Sequence, residues 1–349
     1  MRPKKIREEA ERLKESQPKI TPIKLAAALK VTEAELTAAY TGEGPVIRLN
    51  TDREMQLHDL HALGQVLLVV RNTTCIHELV GNYPQARFYG GHALLAADSF
   101  MMHYDLTQWS YGFAVEKNGM RNLEFFDQRG RAVHKVFTTD QTNFQSWNDW
   151  VSRYAAEKQS PIVEVERLEE IVPDDIDQRE VSRDALCATW DTLTTSDDFQ
   201  PMIDHLGLSS LEAIRLGGDA YAKRLSKDAL GQFLNHSVQE SLSIEATVCS
   251  SGTTQNYKGQ IKQVTEFGDW LNVLDPHFNL HIDMKAVDSI WMVQKAKAKK
   301  PVTVIEVLNR DGKSVLELSE SQPVQQPDSS VWKAVIESLP APVQEEEYA

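Results

Sequence analysis

The sequence has few cysteines, too little positive charge to balance its acidic residues, and no long apolar run. Its 349 residues include only three cysteines, which lie far apart at positions 75, 187 and 249. That number and spacing exclude a disulfide framework and a cysteine-cluster metal site. The 37 basic and 51 acidic residues give a net charge of −14. This balance argues against a general nucleic-acid binder, which needs a basic surface.

The apolar runs, such as residues 66–70, are much shorter than a membrane-spanning helix. The first nine residues are mostly charged and lack the apolar stretch of a secretory signal. A chain of this length fits two domains of common size. We therefore predict a cytoplasmic protein with two domains.

The chain repeats itself. Residues 100–106 resemble residues 278–284 at a shift of 178, so that His103 lies over His281 and Asp105 over Asp283. The shift is 176 upstream and 182 downstream, which places a four-residue insertion at 297–300. Many matches in one order predict a tandem duplication.

Both copies follow one order of elements, which predicts an α+β fold in which each half is an antiparallel β-sheet flanked by helices. A capping box opens a helix in each copy, at Thr32 with Glu35 and at Ser209 with Glu212. Short tight turns end at Gly130 and Gly312. We predict an N-terminal repeat at 1–165, a linker at 166–183, a C-terminal repeat at 184–340 and an acidic tail at 341–349. The predicted elements of the first copy are helices at 4–16, 22–29, 33–39 and 143–158, and strands at 65–71, 75–80, 92–96, 99–106, 111–116, 122–127 and 133–138.

The repeated strand carries the first candidate site. Alternation along a strand places His103 and Asp105 on the face opposite to Phe100, Met102 and Tyr104. A histidine followed two residues later by a carboxylate can bind or orient a metal-bound group. The alternative is a structural role. Both copies would also retain the histidine–carboxylate pair if it only provided polar side chains on the solvent-facing side of the sheet.

His77 and Glu78 form a second candidate. The other copy has Gln255 and Asn256 at these positions, which suits a function held by one half and equally suits drift of a duplicated surface. The sequence contains no phosphate-binding loop, zinc-binding His-Glu-x-x-His helix or nucleophile elbow. The adjacent Asp197 and Asp198 point apart on a helix, so we expect them to cap the helix that follows.

Several motifs together carry a family resemblance over nearly the whole chain. The sequence resembles the haemin-degrading, haem-trafficking proteins of bacterial haem uptake, of the HemS/ChuS type. The motifs are Arg71-Asn72 with His77-Glu78 and Gly81, Gln108-Trp109, Phe125-Phe126-Asp127 with Gly130, and 268–272 with Pro276, Phe278, Leu280 and His281.

The resemblance implies a tandem duplication of helices and antiparallel sheet with haem held between the halves. It places Asp197 where the family has its proximal haem-iron histidine, and His103 where it has a distal arginine. Lys295, which would pair with a haem propionate, is retained, and His77 matches a histidine of the first-half motif. Three further family positions, an arginine near the propionates and a late tyrosine and arginine, are occupied by Ser210, Ser319 and Gln322.

Three interpretations follow. Haem is bound with His103 as the iron ligand, or with His77 as the alternative ligand, or the chain binds another ligand or a protein partner instead. Because an acidic surface repels propionates, the cations Lys295, Arg215 and Arg224 are expected near any haem site. If haem is bound, the first function we expect is that of a haem carrier that serves a haem-transporting or haem-accepting partner. The second is that of a haem oxygenase-like enzyme, which needs an electron source.

Overall fold

The fold was obtained as a computed structural model. It describes residues 2–42, 44–117, 119–167, 181–296, 302–321 and 329–342. Most of the predicted linker (168–180), the insertion at 297–300, Gln322 and most of the acidic tail lie outside the described residues.

The described helices occur in two similar groups, one in each half of the chain. They are α1 (Pro3–Ser16), α2 (Pro22–Ala28), α3 (Glu33–Ala38), α4 (Arg53–Asp59), α5 (Phe144–Tyr154), α6 (Arg183–Trp190), α7 (Phe199–Leu206), α8 (Ser210–Gly217), α9 (Asp228–Gln239) and α10 (Ser330–Glu337).

The described strands also occur in two groups of nine. They are β1 (Val46–Arg48), β2 (Gly64–Arg71), β3 (Cys75–Asn82), β4 (Arg87–Tyr89), β5 (His92–Ala96), β6 (Phe100–Asp105), β7 (Tyr111–Lys117), β8 (Met120–Phe126), β9 (Ala132–Thr142), β10 (Ala222–Leu225), β11 (Ser243–Cys249), β12 (Thr253–Gln260), β13 (Val264–Phe267), β14 (Trp270–Leu274), β15 (Phe278–Asp283), β16 (Val287–Ala296), β17 (Val302–Asn309) and β18 (Ser314–Glu320).

The strands form two nine-stranded sheets, and each sheet contains three strands from the other half. The first sheet has the order β1-β7-β8-β9-β2-β3-β15-β14-β13, and the second has the order β10-β16-β17-β18-β11-β12-β6-β5-β4. The α+β class, the antiparallel sheets and the duplication are confirmed. The sequence pattern does not predict this exchange of strands. Because β6 and β15 are matching strands of the two copies, β3 and β12 could each pair with either of them.

The main core lies between the two sheets. Cross-sheet packing is centred on β2 and β3 against β11 and β12, and the predicted inward side chains of β6 are buried. The opposite face of each sheet is its outer face. Helix α3 covers part of the first outer face, and α6–α8 cover part of the second through the cluster around Trp190 and Phe199.

Both predicted capping boxes are present, at Thr32 with Glu35 and at Ser209 with Glu212. Each lies against the predicted turn of its own copy, because the backbone N–H of Ala34 donates to Gly130 O and that of Leu211 donates to Gly312 O, both at 3.1 Å. Gly130 and Gly312 have φ of +73° and +70°, the left-handed region that favours glycine.

Candidate functional site at the second outer face

The outer face of the second sheet carries three of the predicted site residues, His103, Lys295 and Arg224. The register aligns Glu306 with Glu317, Glu317 with Thr247, and Thr247 with Asn256 on successive strands. Thr254, two residues before Asn256 on the same face of β12, lies opposite His103 of β6. The face is covered by α6–α8 at its β10, β16 and β17 side. His103 lies at the other flank.

His103 is half-buried in a stack of aromatic rings. Its imidazole lies parallel to that of His92, with ring centroids 5.2 Å apart, and the ring of Tyr89 stacks on both. Burial, and then the neighbouring His92, lower the pKa of His103. Its imidazole is therefore neutral at neutral pH, which is the form that ligates iron.

The carboxylate of Asp105 is engaged elsewhere. It accepts hydrogen bonds from the backbone N–H of Thr107 at 3.1 Å and from the Thr107 hydroxyl at 2.5 Å. These bonds cap the short helical turn Leu106–Gln108. The predicted histidine–carboxylate pair thus shares a face of the strand, while the carboxylate has a local structural role.

Lys295 is buried between two carboxylates. Its Nζ lies 2.8 Å from Glu306 Oε2 and 2.6 Å from Glu317 Oε2, and it stands 4.8 Å from the centre of the Phe199 ring. Burial alone would lower the pKa of Lys295, but the two carboxylates outweigh burial and raise it. Because two carboxylates already hold its ammonium group, Lys295 does not offer an unbalanced cation to a propionate.

The remaining predicted cations are exposed. Arg224 of β10 lies opposite Trp291, whose own partner is Glu306, so Arg224 shares the face with the Lys295 group. Arg215 lies in the last turn of α8. Four strands lie between β6 and β16. The five spacings of roughly 4.8 Å place the two strands about 24 Å apart along the sheet. His103 and these cations therefore mark opposite flanks of the open face.

Asp197 lies in the helical turn Ser196–Asp198, directly before α7, and its side chain is outside the part that the structure describes. The expectation that this acidic pair caps the following helix is wrong for Asp198. The Asp198 carboxylate accepts from the backbone N–H groups of Thr194 and Thr195 instead, which closes the turn before α7.

His77 lies in the core between the two sheets and is fully buried. Its Nε2–H donates to Ala246 O at 3.0 Å, and Gln255 Nε2 donates to its Nδ1 at 2.7 Å. Burial lowers the pKa of His77 to about 4. Because both ring nitrogens are engaged, His77 has no nitrogen free for iron in this arrangement.

Sequence reasoning did not find the carboxylates that surround Lys295. The duplication held a usable signal, since the matching positions in the first copy are Glu124 and Lys135, which form an ion pair at 3.0 Å. There, Glu33 of α3 adds a second carboxylate, and Arg71 adds a second cation. The first group therefore pairs two carboxylates with two cations, and the second places two carboxylates around Lys295.

The described elements define a duplicated α+β protein, and comparisons with known proteins agree with this fold. The model of the haemin-degrading HemS.ChuX domain matches residues 30–154 and 207–339. The hemin transport protein HemS of Yersinia enterocolitica is 29% identical over 321 residues, covering 90% of this chain and 91% of that protein.

Solved structures show the same fold. The haem-binding protein PhuS of Pseudomonas aeruginosa, known in apo and holo forms, has a TM-score of 0.91 at 27% identity, covering 97% of this chain and 99% of that chain. ChuS of Escherichia coli O157:H7, a haem-degrading enzyme, has a TM-score of 0.88 at 24% identity, covering 97% of this chain and 99% of that chain.

The chain belongs to the HemS/ChuX family of haemin-degrading proteins. The resemblance found in the sequence motifs is thereby confirmed. Among the described helices, none is both long and apolar enough to span a membrane.

Proposed function

We propose that this protein binds haem on the outer face of the second sheet and carries it in the cytoplasm to a haem-accepting partner. The observation that carries the proposal is the half-buried His103, neutral because its pKa is lowered, in a chain of this family. His103 supplies the iron ligand, because a neutral imidazole is an ordinary axial ligand of haem. His77 is not proposed as the ligand, since both of its nitrogens are engaged.

The cations predicted for the propionates do not lie beside His103. Lys295 is held by Glu306 and Glu317, and Arg224 and Arg215 lie at the opposite flank of the face, about 24 Å from the His103 strand. A single haem ligated by His103 does not span that distance, so we do not propose these arginines as partners of its carboxylates.

Titration of the purified protein with haemin tests the proposal. We expect a saturable Soret shift at one haem per chain, and His103→Ala should shift or abolish that band. His281→Ala is the matched control, because His281 occupies the duplicated position on the first sheet and should leave the band unchanged. Absence of a saturable shift would overturn haem binding, and loss of the band only in His281→Ala would overturn the ligand assignment.

A haem-degrading enzyme is the second candidate function, favoured by the description of the matching family model. Addition of a reductant to the haem complex in air separates the two. A carrier keeps its Soret band, whereas an enzyme converts the haem to a linear tetrapyrrole in stoichiometric amount.

A further inference from the structure

The outer face of the first sheet carries a cavity of about 630 Å³ where strands from the two halves meet. It is lined by polar and apolar side chains of β3, β13, β14 and β15, among them Glu78, His281, Phe267 and Trp270. Its volume lies within the usual range of small-ligand sites. The Phe267 side chain is 83% exposed, so the cavity is open to solvent.

The tautomer of the neutral His281 ring follows from its neighbour Asn272. The side-chain N–H groups of Asn272 donate to Thr265 O at 3.3 Å and to Trp270 O at 3.1 Å, which fixes its Oδ1 as the acceptor. That oxygen lies 2.8 Å from His281 Nδ1, so Nδ1 carries the proton of the neutral ring and Nε2 presents its lone pair. An oxygen acceptor on the second ring nitrogen is the usual way in which proteins orient a metal-binding histidine.

Glu78 places a carboxylate beside that lone pair. Its Oε2 lies 3.9 Å from His281 Nε2, and Asn279 Nδ2 donates to the same oxygen at 3.2 Å. Each of the two side chains is thus held by an asparagine. The imidazole nitrogen and the carboxylate oxygen lie side by side at the cavity, where a cation between them would contact both.

We propose that Glu78 and His281 form a binding site for a first-row divalent metal ion such as Zn²⁺ or Fe²⁺. Imidazole nitrogen and carboxylate oxygen are suitable ligands for these ions. Tetrahedral ligands at about 2.1 Å from a metal lie roughly 3.4 Å apart, so the pair needs to close by about 0.5 Å. Both side chains are about one-quarter exposed, which gives Glu78 room for this rotation.

Water or a chelating small molecule in the cavity completes the coordination. Within the described ranges, no group of three or more histidine, cysteine, aspartate or glutamate side chains is placed to hold a metal ion. The site is therefore open and exchangeable, unlike the closed four-ligand sites that support a fold.

The duplication supplies an internal control. His103 on the second sheet occupies the position of His281, but the position of Glu78 is taken there by Asn256. Asn256 has a neutral amide instead of a carboxylate, so the second face lacks the charged ligand. We therefore expect no metal binding by the matching pair on that face. The metal site and the proposed haem site are thus separate and can be tested independently.

Titration of the full-length apoprotein with Zn²⁺ by calorimetry, and with Co²⁺ by visible absorption, tests the site. The exposed His58 and His61 rings lie 5.6 Å apart and could bind these ions, so every variant carries His58→Ala and His61→Ala. We expect one ion per chain in this background. His281→Ala and Glu78→Gln should each weaken binding by at least about tenfold, because loss of even an outer partner costs about 10–100-fold.

His103→Ala should leave metal affinity unchanged. No saturable binding in the parent, or equal affinity in Glu78→Gln and the parent, would overturn the proposal. A cooperative urea-unfolding transition in the His281→Ala variant shows that it is folded, and Glu78→Gln decides the matter if that variant does not fold.

Discussion

Two histidines in the core between the sheets should make the protein lose stability as the pH falls below 7. Burial lowers the pKa of His77 to about 4 and that of His134 to about 3. His77 bridges the sheets through Ala246 O, and His134 Nε2 lies 2.5 Å from the Tyr83 hydroxyl. Both rings are buried as neutral groups, so they cannot take up a proton without loss of native contacts.

The direction follows from proton binding. In the unfolded chain a histidine has a pKa of about 6.5, so between that pH and the folded-state pKa the unfolded state binds more protons. The free energy of unfolding therefore falls with decreasing pH in this window. From pH 7.5 to pH 5.5 each histidine should contribute a loss of about 1.4 kcal/mol, and the pair about 2.8 kcal/mol.

Urea denaturation at pH 7.5, 6.5 and 5.5, followed by tryptophan fluorescence, measures this loss. His77→Gln keeps an amide donor at the position but removes the titrating ring, so it should lower stability at pH 7.5 and lose about half of the pH dependence. His61→Gln, at an exposed position, should leave the dependence unchanged. A free energy of unfolding that is flat from pH 7.5 to 5.5 in the parent, or a full dependence in His77→Gln, would refute the reasoning.

Two further predictions concern packing and charge. Gly119→Ala adds a methyl group in open space at a φ of +78° and should cost about 1 kcal/mol. Gly130→Ala also meets the Thr32 side chain and should cost about 1–3 kcal/mol more in urea denaturation, so equal losses would contradict the contact. Lys295→Met removes the cation that pairs with the buried Glu306 carboxylate and should cost about 3–5 kcal/mol. Addition of Glu306→Gln should recover part of that loss, and no recovery would show that the charges are not the cause.

Local patterns predict the elements of this fold well. The burial of β6 and β15 alternates as their sequences predict, because side chains of a strand point alternately to opposite faces. The capping boxes and the turns at Gly130 and Gly312 are likewise readable, since each depends on residues close together in the chain.

The candidate site was less predictable. The sequence places Lys295 among the cations for a propionate, and only the pairing of β16, β17 and β18 brings two glutamates against it. His77 was an alternative iron ligand until the packing of the two sheets engaged both of its nitrogens. Charge balance and hydrogen-bond partners depend on residues far apart in the chain, which no local pattern reports.

The sequence by itself determined the duplication, the α+β class and the family, because these depend on residue periodicity and on motifs that survive in order. Only the tertiary structure decided that the repeats exchange three strands and that Glu78 of one half faces His281 of the other. The physical reason is that antiparallel pairing uses backbone groups common to all residues. The sequence of a strand therefore does not determine which strand pairs with it.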